Sequence, residues 1–391
     1  MAQPIYHWCL SMLGAVIYRF PSRSMKVIAV TGTKGKSTTV YMVSKIFEEQ
    51  GEPIAAIGSL GFKIKDRVWP NTLKMTLPGR LKLQKFLYRA KKAGCKYVIL
   101  EATSEGIVQN RLAGINVDCA VFTNLHREHL ESHGSFEDYL AAKQKLFEKT
   151  KVRQILNIDD PHFEKFANYQ ARTKITFGRE WGMISLANLR TEREDLNLKL
   201  LGDFNEYNAL AALSVAYAYN FDMDKAVASL NSIESIPGRI EVVRSKNGFD
   251  VIVDYAHTPD SLEAVYKNLK SRAKKLICVL GAAGGGRDKW KRPEFGKIAA
   301  GYCDKMILTN EDPFDENPEE ILNQIEKGIP GLGTPHEKIL DRKEAIKQAL
   351  TSAESGDIVV ITGKGSETSI AVAGGKKIPW SDREVVEGLL K

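Results

Sequence analysis

The chain predicts a two-domain α/β protein built on mainly parallel sheets. Three observations carry this expectation. Apolar runs of strand length alternate with helical stretches from Lys26 onward, a proline–glycine break falls at Ser235-Ile236-Pro237-Gly238, and the alternation restarts beyond it. A length of 391 residues is enough for more than one core.

Residues 5–18 (IYHWCLSMLGAVIY) are mostly apolar. The run is shorter than the roughly 20 residues of a membrane span. Its basic residues, Arg19, Arg23 and Lys26, follow it, unlike those of a signal peptide. It reads as a helix packed on the next domain, with peripheral membrane contact the minor alternative. KVIAVTG (Lys26 to Gly32) reads as a buried strand, followed by a helix over 37–49. KYVILEAT (96–103) and DCAVFTNL (118–125) are further strands. Residues 136–149 form a helix with Ser135 as its cap, and the Ala-rich stretch 205–219 forms another. After the break, VIVDYAH (251–257), LICVLGAAGGG (276–286), KMILTN (305–310) and DIVVITGKG (357–365) are strands that run into turns.

The expected organisation is an apolar helix over 1–24, a central P-loop-type domain with a mainly parallel sheet over 25–235, and a C-terminal Rossmann-like domain over 236–391. Hydrophobic content of 43% and charged content of 27% suit a soluble globular chain. The formal charge of +8 comes from scattered Lys and Arg without a basic run of five, so nucleic acid is not expected as a partner. Cys9, Cys95, Cys119, Cys278 and Cys303 form no C-x-x-C pair. They read as reduced, buried cysteines of a cytoplasmic protein.

The strongest local signal is Thr31-Gly32-Thr33-Lys34-Gly35-Lys36-Ser37-Thr38 between a strand and a helix. Its glycines let backbone N–H groups turn onto phosphate oxygens, and the helix N-terminus adds positive potential. Lys36 would reach the outer phosphates and Ser37 a Mg²⁺ ion. Val30 stands where the general phosphate-loop pattern has its first glycine, so the match is partial.

Here the chain resembles the Mur ligase family, most closely its tripeptide-synthetase branch, from about Lys26 to the C-terminus. The stretch Val121 to His133, with Tyr139-Leu140-Ala141-Ala142-Lys143 after it, resembles a family segment. The resemblance implies Glu101 and His129 as ligands of a second Mg²⁺, and Lys143 as the lysine that becomes carbamylated. Gly202-Asp203-Phe204-Asn205-Glu206-Tyr207-Asn208 is similar to the turn whose asparagines meet adenine; taken alone, Asn205 and Asn208 read as helix caps. Pro237-Gly238-Arg239-Ile240-Glu241 implies Arg239 on the ATP phosphates. Asp254-Tyr255-Ala256-His257-Thr258-Pro259 places Asp254 and His257 near the nucleotide. Gly284-Gly285-Gly286-Arg287-Asp288-Lys289-Trp290-Lys291-Arg292-Pro293 implies Arg287 on the amino acid's carboxylate. Gly363-Lys364-Gly365-Ser366-Glu367 has Ser366 where the family has His, and Glu367 would hold an amine.

Three departures narrow the expectation. The phosphate loop begins near residue 31, which leaves no room ahead of it for the family's uridine-nucleotide domain. Glu311-Asp312-Pro313-Phe314 replaces D-N-P-R, so diaminopimelate is disfavoured, with Asp312 near a cationic side chain instead. Thr103-Ser104-Glu105 replaces S-S-H, while Thr76, Ser104, Gln109 and Arg111 still match positions that touch the muramyl peptide.

The resemblance implies a monomeric, ADP-forming ligase. It would activate a carboxylate of a peptidoglycan precursor as an acyl phosphate and couple it to an amino acid, using ATP and Mg²⁺, with ATP contacts from both domains. A folylpolyglutamate-synthase-like ligase is the alternative within this chemistry. A non-catalytic ATP-binding scaffold is the alternative outside it, which the presence of Lys36, Glu101, His129 and Lys143 disfavours.

Overall fold

The computed structural model describes residues 2–73, 75–126, 134–192, 195–286, 288–331 and 334–391. They form two compact units, one of Met1–Lys199 with Asp203–Glu234 and one of Leu200–Gly202 with Ser235–Lys391.

The first unit opens with α1 (Ala2–Ile17), a 3₁₀ turn (Pro21–Ser24), β1 (Lys26–Thr31) and α2 (Lys36–Glu49). Then come β2 (Ile54–Gly58), β3 (Gly61–Ile64), β4 (Arg67–Trp69), α3 (Arg80–Lys92), β5 (Tyr97–Glu101), α4 (Ser104–Val108) and β6 (Val117–Phe122). It continues with α5 (Phe136–Lys149), β7 (Arg153–Asn157), α6 (Phe163–Ala167), β8 (Thr173–Gly178), β9 (Ile184–Ser185) and α7 (Leu186–Glu192). It ends with α8 (Phe204–Ala218) and α9 (Met223–Asn231).

Its sheet runs β4-β3-β2-β5-β1-β6-β7-β8-β9. Only the β2–β3 and β3–β4 pairings are antiparallel. Strand alternation sorts its two faces: Val27, Ala29, Val98, Leu100, Ala120 and Phe122 share a core with Leu83 and Leu87 of α3 and with Leu146 and Phe147 of α5. The intervening residues, such as Ile28 and Ile99, are buried on the opposite face. Ser135 caps α5 as expected, its Oγ accepting from the Asp138 amide at 3.0 Å.

The second unit contains β10 (Glu241–Arg244), β11 (Asp250–Val253), α10 (Pro259–Lys270), β12 (Leu276–Leu280), α11 (Lys291–Tyr302), β13 (Lys305–Leu308) and α12 (Pro318–Glu326). β14 (His336–Lys338), α13 (Arg342–Ser352), β15 (Ile358–Ile361), β16 (Ser369–Val372), β17 (Lys376–Pro379) and α14 (Asp382–Leu389) complete it. The six-stranded sheet runs β10-β11-β15-β12-β13-β14, parallel except at β10, and β16–β17 is a separate hairpin. Ile252, Cys278 and Val360 face one core, and Val251, Val279 and Ile361 the other. Arg342 and Asp382 form a buried pair with contacts of 2.8 and 2.7 Å. Arg342 also donates to the carbonyls of Asn310 and Thr362, so α13 and α14 hold the ends of β13 and β15. Removing one partner of such a pair costs about 3–5 kcal/mol.

The cysteine expectation is corrected here. Cys278 on β12 and Cys303, which ends α11, form a disulfide with Cα atoms 6.1 Å apart. The helix that follows β12 returns across the same sheet face, which brings together positions that sequence leaves 25 apart. Cys95 and Cys119 are free and buried, whereas Cys9 is exposed. No described helix is long and apolar enough to cross a membrane.

Candidate active site

In the first unit, the chemistry-bearing residues gather where β1, β2, β5 and β6 end, the usual location for ligands in an open parallel sheet. The loop after β1 is stitched to the segment after β6. The Thr33 amide donates to the Asn124 carbonyl at 2.9 Å, and the Lys34 amide to Asn124 Oδ1 at 2.8 Å. Thr123 Oγ1 donates to the Lys34 carbonyl at 2.7 Å. Gly32 has φ 151°, and a Cβ there would lie 1.9 Å from Thr123 Oγ1. Only glycine fits this approach.

Lys36 Nζ donates to the carbonyls of Gly32 (3.0 Å) and Thr33 (2.7 Å). Lys143, on α5 and 1% exposed, donates to the same Gly32 carbonyl at 2.7 Å. Ser37 and Thr38 lie in the first turn of α2. Ser37 Oγ donates to Ser59 Oγ at 3.4 Å. Ser59 in turn holds Glu101, giving its amide to Oε1 at 2.7 Å and its hydroxyl to Oε2 at 3.2 Å. Thr76 Oγ1 lies 3.4 Å from Ser59 Oγ. Arg111 donates to the neighbouring Leu77 carbonyl at 2.7 Å and to Gln109 Oε1 at 2.8 Å. Ser104 is buried in the first turn of α4, which Thr103 caps, and Glu105 is exposed.

Thus Lys36, Ser37, Thr76, Glu101, Gln109, Arg111 and Lys143 fall in one contiguous region, whereas His129 lies outside the described residues. Asn205 and Asn208 do not cap α8: the cap position is Asp203, without a side-chain bond. Asn208 Nδ2 instead donates to Asn205 Oδ1 at 3.1 Å, and Asn208 Oδ1 presses on the loop where a Cβ on Gly35 would lie 2.1 Å away. The packing of α8 against α2 puts it there.

An oxygen-donor cluster suits a hard cation. Ser37, Ser59, Thr76 and the buried Glu101 carboxylate supply one, and Mg²⁺ typically takes one or two carboxylates together with substrate phosphates and water. The donor set therefore fits the ion.

In the second unit, four motif segments meet at the corresponding strand ends. Gly238 (φ 64°) packs so closely on Gly365 and Ser366 that a Cβ would lie 2.1 Å from the Ser366 amide. Arg239 lies over the Tyr255 ring at 4.5 Å. Asp254 is buried, and its oxygens accept the Ile240 and Ala256 amides, each at 2.7 Å. Its carboxylate thus fastens the turn that follows β11 to the residue before β10. His257 Nδ1 lies 2.8 Å from the Tyr255 carbonyl. Asp312 accepts Lys364 Nζ and the Ala371 amide, each at 2.8 Å, so its cationic neighbour is this chain's own lysine. Lys364 also bonds Glu367, which accepts from Tyr255 Oη at 3.4 Å. Gly363 backs onto Glu311.

The Gly284–Pro293 segment is tied down by Arg292, which donates to both oxygens of Glu316 and to the Ala283 carbonyl. That guanidinium is the main reason the Glu316 carboxyl drops to about 2. Arg287 lies outside the described residues. Sequence reasoning missed Ser59, Glu311, Lys364 and Arg292 as site-building residues.

Known proteins match this arrangement. The Mur ligase middle domain family matches residues 30–216, and the Mur ligase, glutamate ligase domain family matches 238–365. The UDP-N-acetylmuramoyl-L-alanyl-D-glutamate--2,6-diaminopimelate ligase of Caldanaerobacter subterraneus subsp. tengcongensis is 35% identical over 396 residues, covering 97% of this chain and 81% of its own. The UDP-N-acetylmuramyl-tripeptide synthetase of a Roseiflexus species is 35% identical over 408 residues, covering 95% and 80%. A solved diaminopimelate ligase of the same name superposes with a TM-score of 0.65 at 31% identity, covering 98% of this chain and 82% of its own. E. coli FolC, in complex with DHPP and ADP, shares the fold with a TM-score of 0.70 at 18% identity, covering 92% and 90%.

Proposed function

Because this chain belongs to the Mur ligase family of ATP-dependent, ADP-forming amino-acid ligases, we propose the following substrates and residue roles for it. The acceptor is a peptidoglycan precursor of the muramyl-peptide type, joined to an amino acid in the cytoplasm, where ATP is supplied. An acceptor carboxylate oxygen attacks the γ-phosphorus, the bond to ADP breaks, and an acyl phosphate forms. The amine of the amino acid then attacks the acyl carbon, loses a proton and expels phosphate, leaving an amide.

The loop amides from Gly32 to Thr38 cradle the triphosphate, and Lys36 turns from its own loop carbonyls to the transferring phosphoryl group. Glu101, held by Ser59, and Ser37 would hold Mg²⁺, which when bound supplies charge neutralisation at the phosphates. Lys143 corresponds to the lysine that is carbamylated in the family. Asn205 and Asn208 are assigned to adenine, and Arg239 and His257 to the rest of the nucleotide. Thr76, Ser104, Gln109 and Arg111 are assigned to the acceptor.

Arg287, Asp312, Gly363 and Glu367 are assigned to the amino acid. Phe314 offers no guanidinium for a second carboxylate, so lysine or ornithine is the proposed amino acid rather than diaminopimelate.

The convergence of Lys36, Lys143, Ser37 and Glu101 on the loop after β1 carries this reading. The test combines ADP release with mass spectrometry of the product, using UDP-N-acetylmuramoyl dipeptide and single amino acids. Amide formation that Lys36→Ala abolishes is expected. ATP binding without an amide product from any amino acid would overturn it.

A further inference from the structure

α1 carries two opposed faces. Ser11, Gly14 and Ala15 are buried against the unit, where a Cβ on Gly14 would meet Leu81 of α3 at 3.2 Å and Ser11 Oγ donates to the Asn110 carbonyl at 2.7 Å. Tyr18 continues this face to the Tyr88 ring of α3 at 5.6 Å. On the other side Tyr6, Cys9, Leu13, Val16 and Ile17 recur at helical spacing, and all are exposed: 60% for Tyr6, 52% for Leu13 and 57% for Val16 and Ile17. Trp8, on Ala15's side of the helix, is 48% exposed.

A solvated helix face normally carries charge, and this one carries none. The helix beside it does. Lys82, Lys85, Arg89, Lys91 and Lys92 of α3 are exposed, and Arg19 and Arg23 follow α1. The chain has no Asp or Glu from Met1 to Phe47 or from Arg67 to Leu100.

We propose that α1 is an interfacial helix that seats the protein on an anionic lipid bilayer, with its apolar stripe at the headgroup–acyl boundary and the α3 cations against lipid phosphates. Tyr6 and Trp8 are the residue types that sit at this boundary, with apolar rings and a polar edge. Charge selects this occupant over a second copy of the chain. Two copies meeting through the stripe would bring two acid-free basic surfaces together, whereas an anionic surface neutralises them. The proposal is independent of the ligase assignment.

Co-sedimentation of the full chain with phosphatidylcholine vesicles, with and without phosphatidylglycerol, tests it. Binding that requires the anionic lipid and weakens with salt is expected. Val16→Glu with Ile17→Glu should abolish it, and Lys82→Gln with Lys85→Gln and Lys91→Gln should weaken it about 100-fold, at about fivefold per cation. Melting temperatures establish that each variant folds, and the charge variant leaves the stripe itself untouched. Equal binding to neutral vesicles, no binding at all, or wild-type binding by either variant overturns the proposal. So does a lipid-free dimer that the stripe variant dissociates.

Discussion

Replacing Glu311 with Gln should remove a pH-dependent weakness in the second unit. Glu311 follows β13 and is 5% exposed, and its Oε2 has no hydrogen-bond partner among the described residues. A Cβ on Gly363 would lie 2.4 Å from that oxygen. Burial is the largest influence on the carboxyl and raises it from 4.5 to about 7, against the pull of Lys364 and Arg342. The folded protein therefore holds this proton more tightly than the unfolded chain. The contribution of this group to stability is greatest below pH 4.5 and is lost as pH rises to about 7. The gap of about 2.5 pH units corresponds to about 3 kcal/mol, lost at up to about 1.4 kcal/mol per unit. Urea unfolding of wild type and Glu311→Gln between pH 4.5 and 8 isolates the effect, because all other titrating groups are shared. The variant should gain on wild type by about 3 kcal/mol across this range and then stay level. A difference that does not change with pH would refute the reasoning.

Three other outcomes follow from the geometry. Gly35→Ala places a methyl group 2.1 Å from Asn208 Oδ1 at φ 80°; it should lower stability by about 2 kcal/mol in thermal denaturation, with Asn208→Ala restoring only the steric part. Ser59→Ala removes the hydroxyl that donates to Glu101 Oε2; it should raise the Mg²⁺ concentration for half-maximal ADP release about fivefold, the worth of about 1 kcal/mol. Phe314→Arg should raise the kcat/KM for diaminopimelate relative to lysine about tenfold by supplying a carboxylate partner, measured by competition with mass-spectrometric readout.

The strands that carry the site were legible because buried parallel strands read as continuous apolar runs, as in Val27–Val30 and Ile358–Ile361. What the apolar run does not mark is the residue where the strand stops: the segment 276–286 reads as a strand running into a turn, and β12 ends at Leu280, where the glycines beyond it turn onto Pro313 and Phe314. The phosphate loop was legible from its local residue pattern. Ser59 was not, because only the pairing of β2 with β5 brings it to Glu101. Asn208 reads as a cap on local grounds, and only the packing of α8 on α2 turns it toward Gly35. The Cys278–Cys303 bond escaped for the same reason, since its partners meet through a strand–helix return. What sequence missed was contact between residues far apart in the chain.

The two lysines on Gly32 sharpen the reading of the first unit. Their Nζ atoms lie 3.0 and 2.7 Å from one carbonyl oxygen, so they cannot be more than about 6 Å apart. Two ammonium charges at that separation repel by about 3 kcal/mol at an effective dielectric of about 20. Lys36 also donates to the Thr33 carbonyl, and Lys143 lies over the Tyr139 ring at 4.5 Å, and these contacts act against that repulsion. An anion in the loop reverses the sign, since each lysine then gains an attraction. A carbamate on Lys143 reverses it too, by turning one of the pair into the anion. Either state adds an attraction for both lysines, so two cations gathered on one carbonyl suit a loop that receives negative charge.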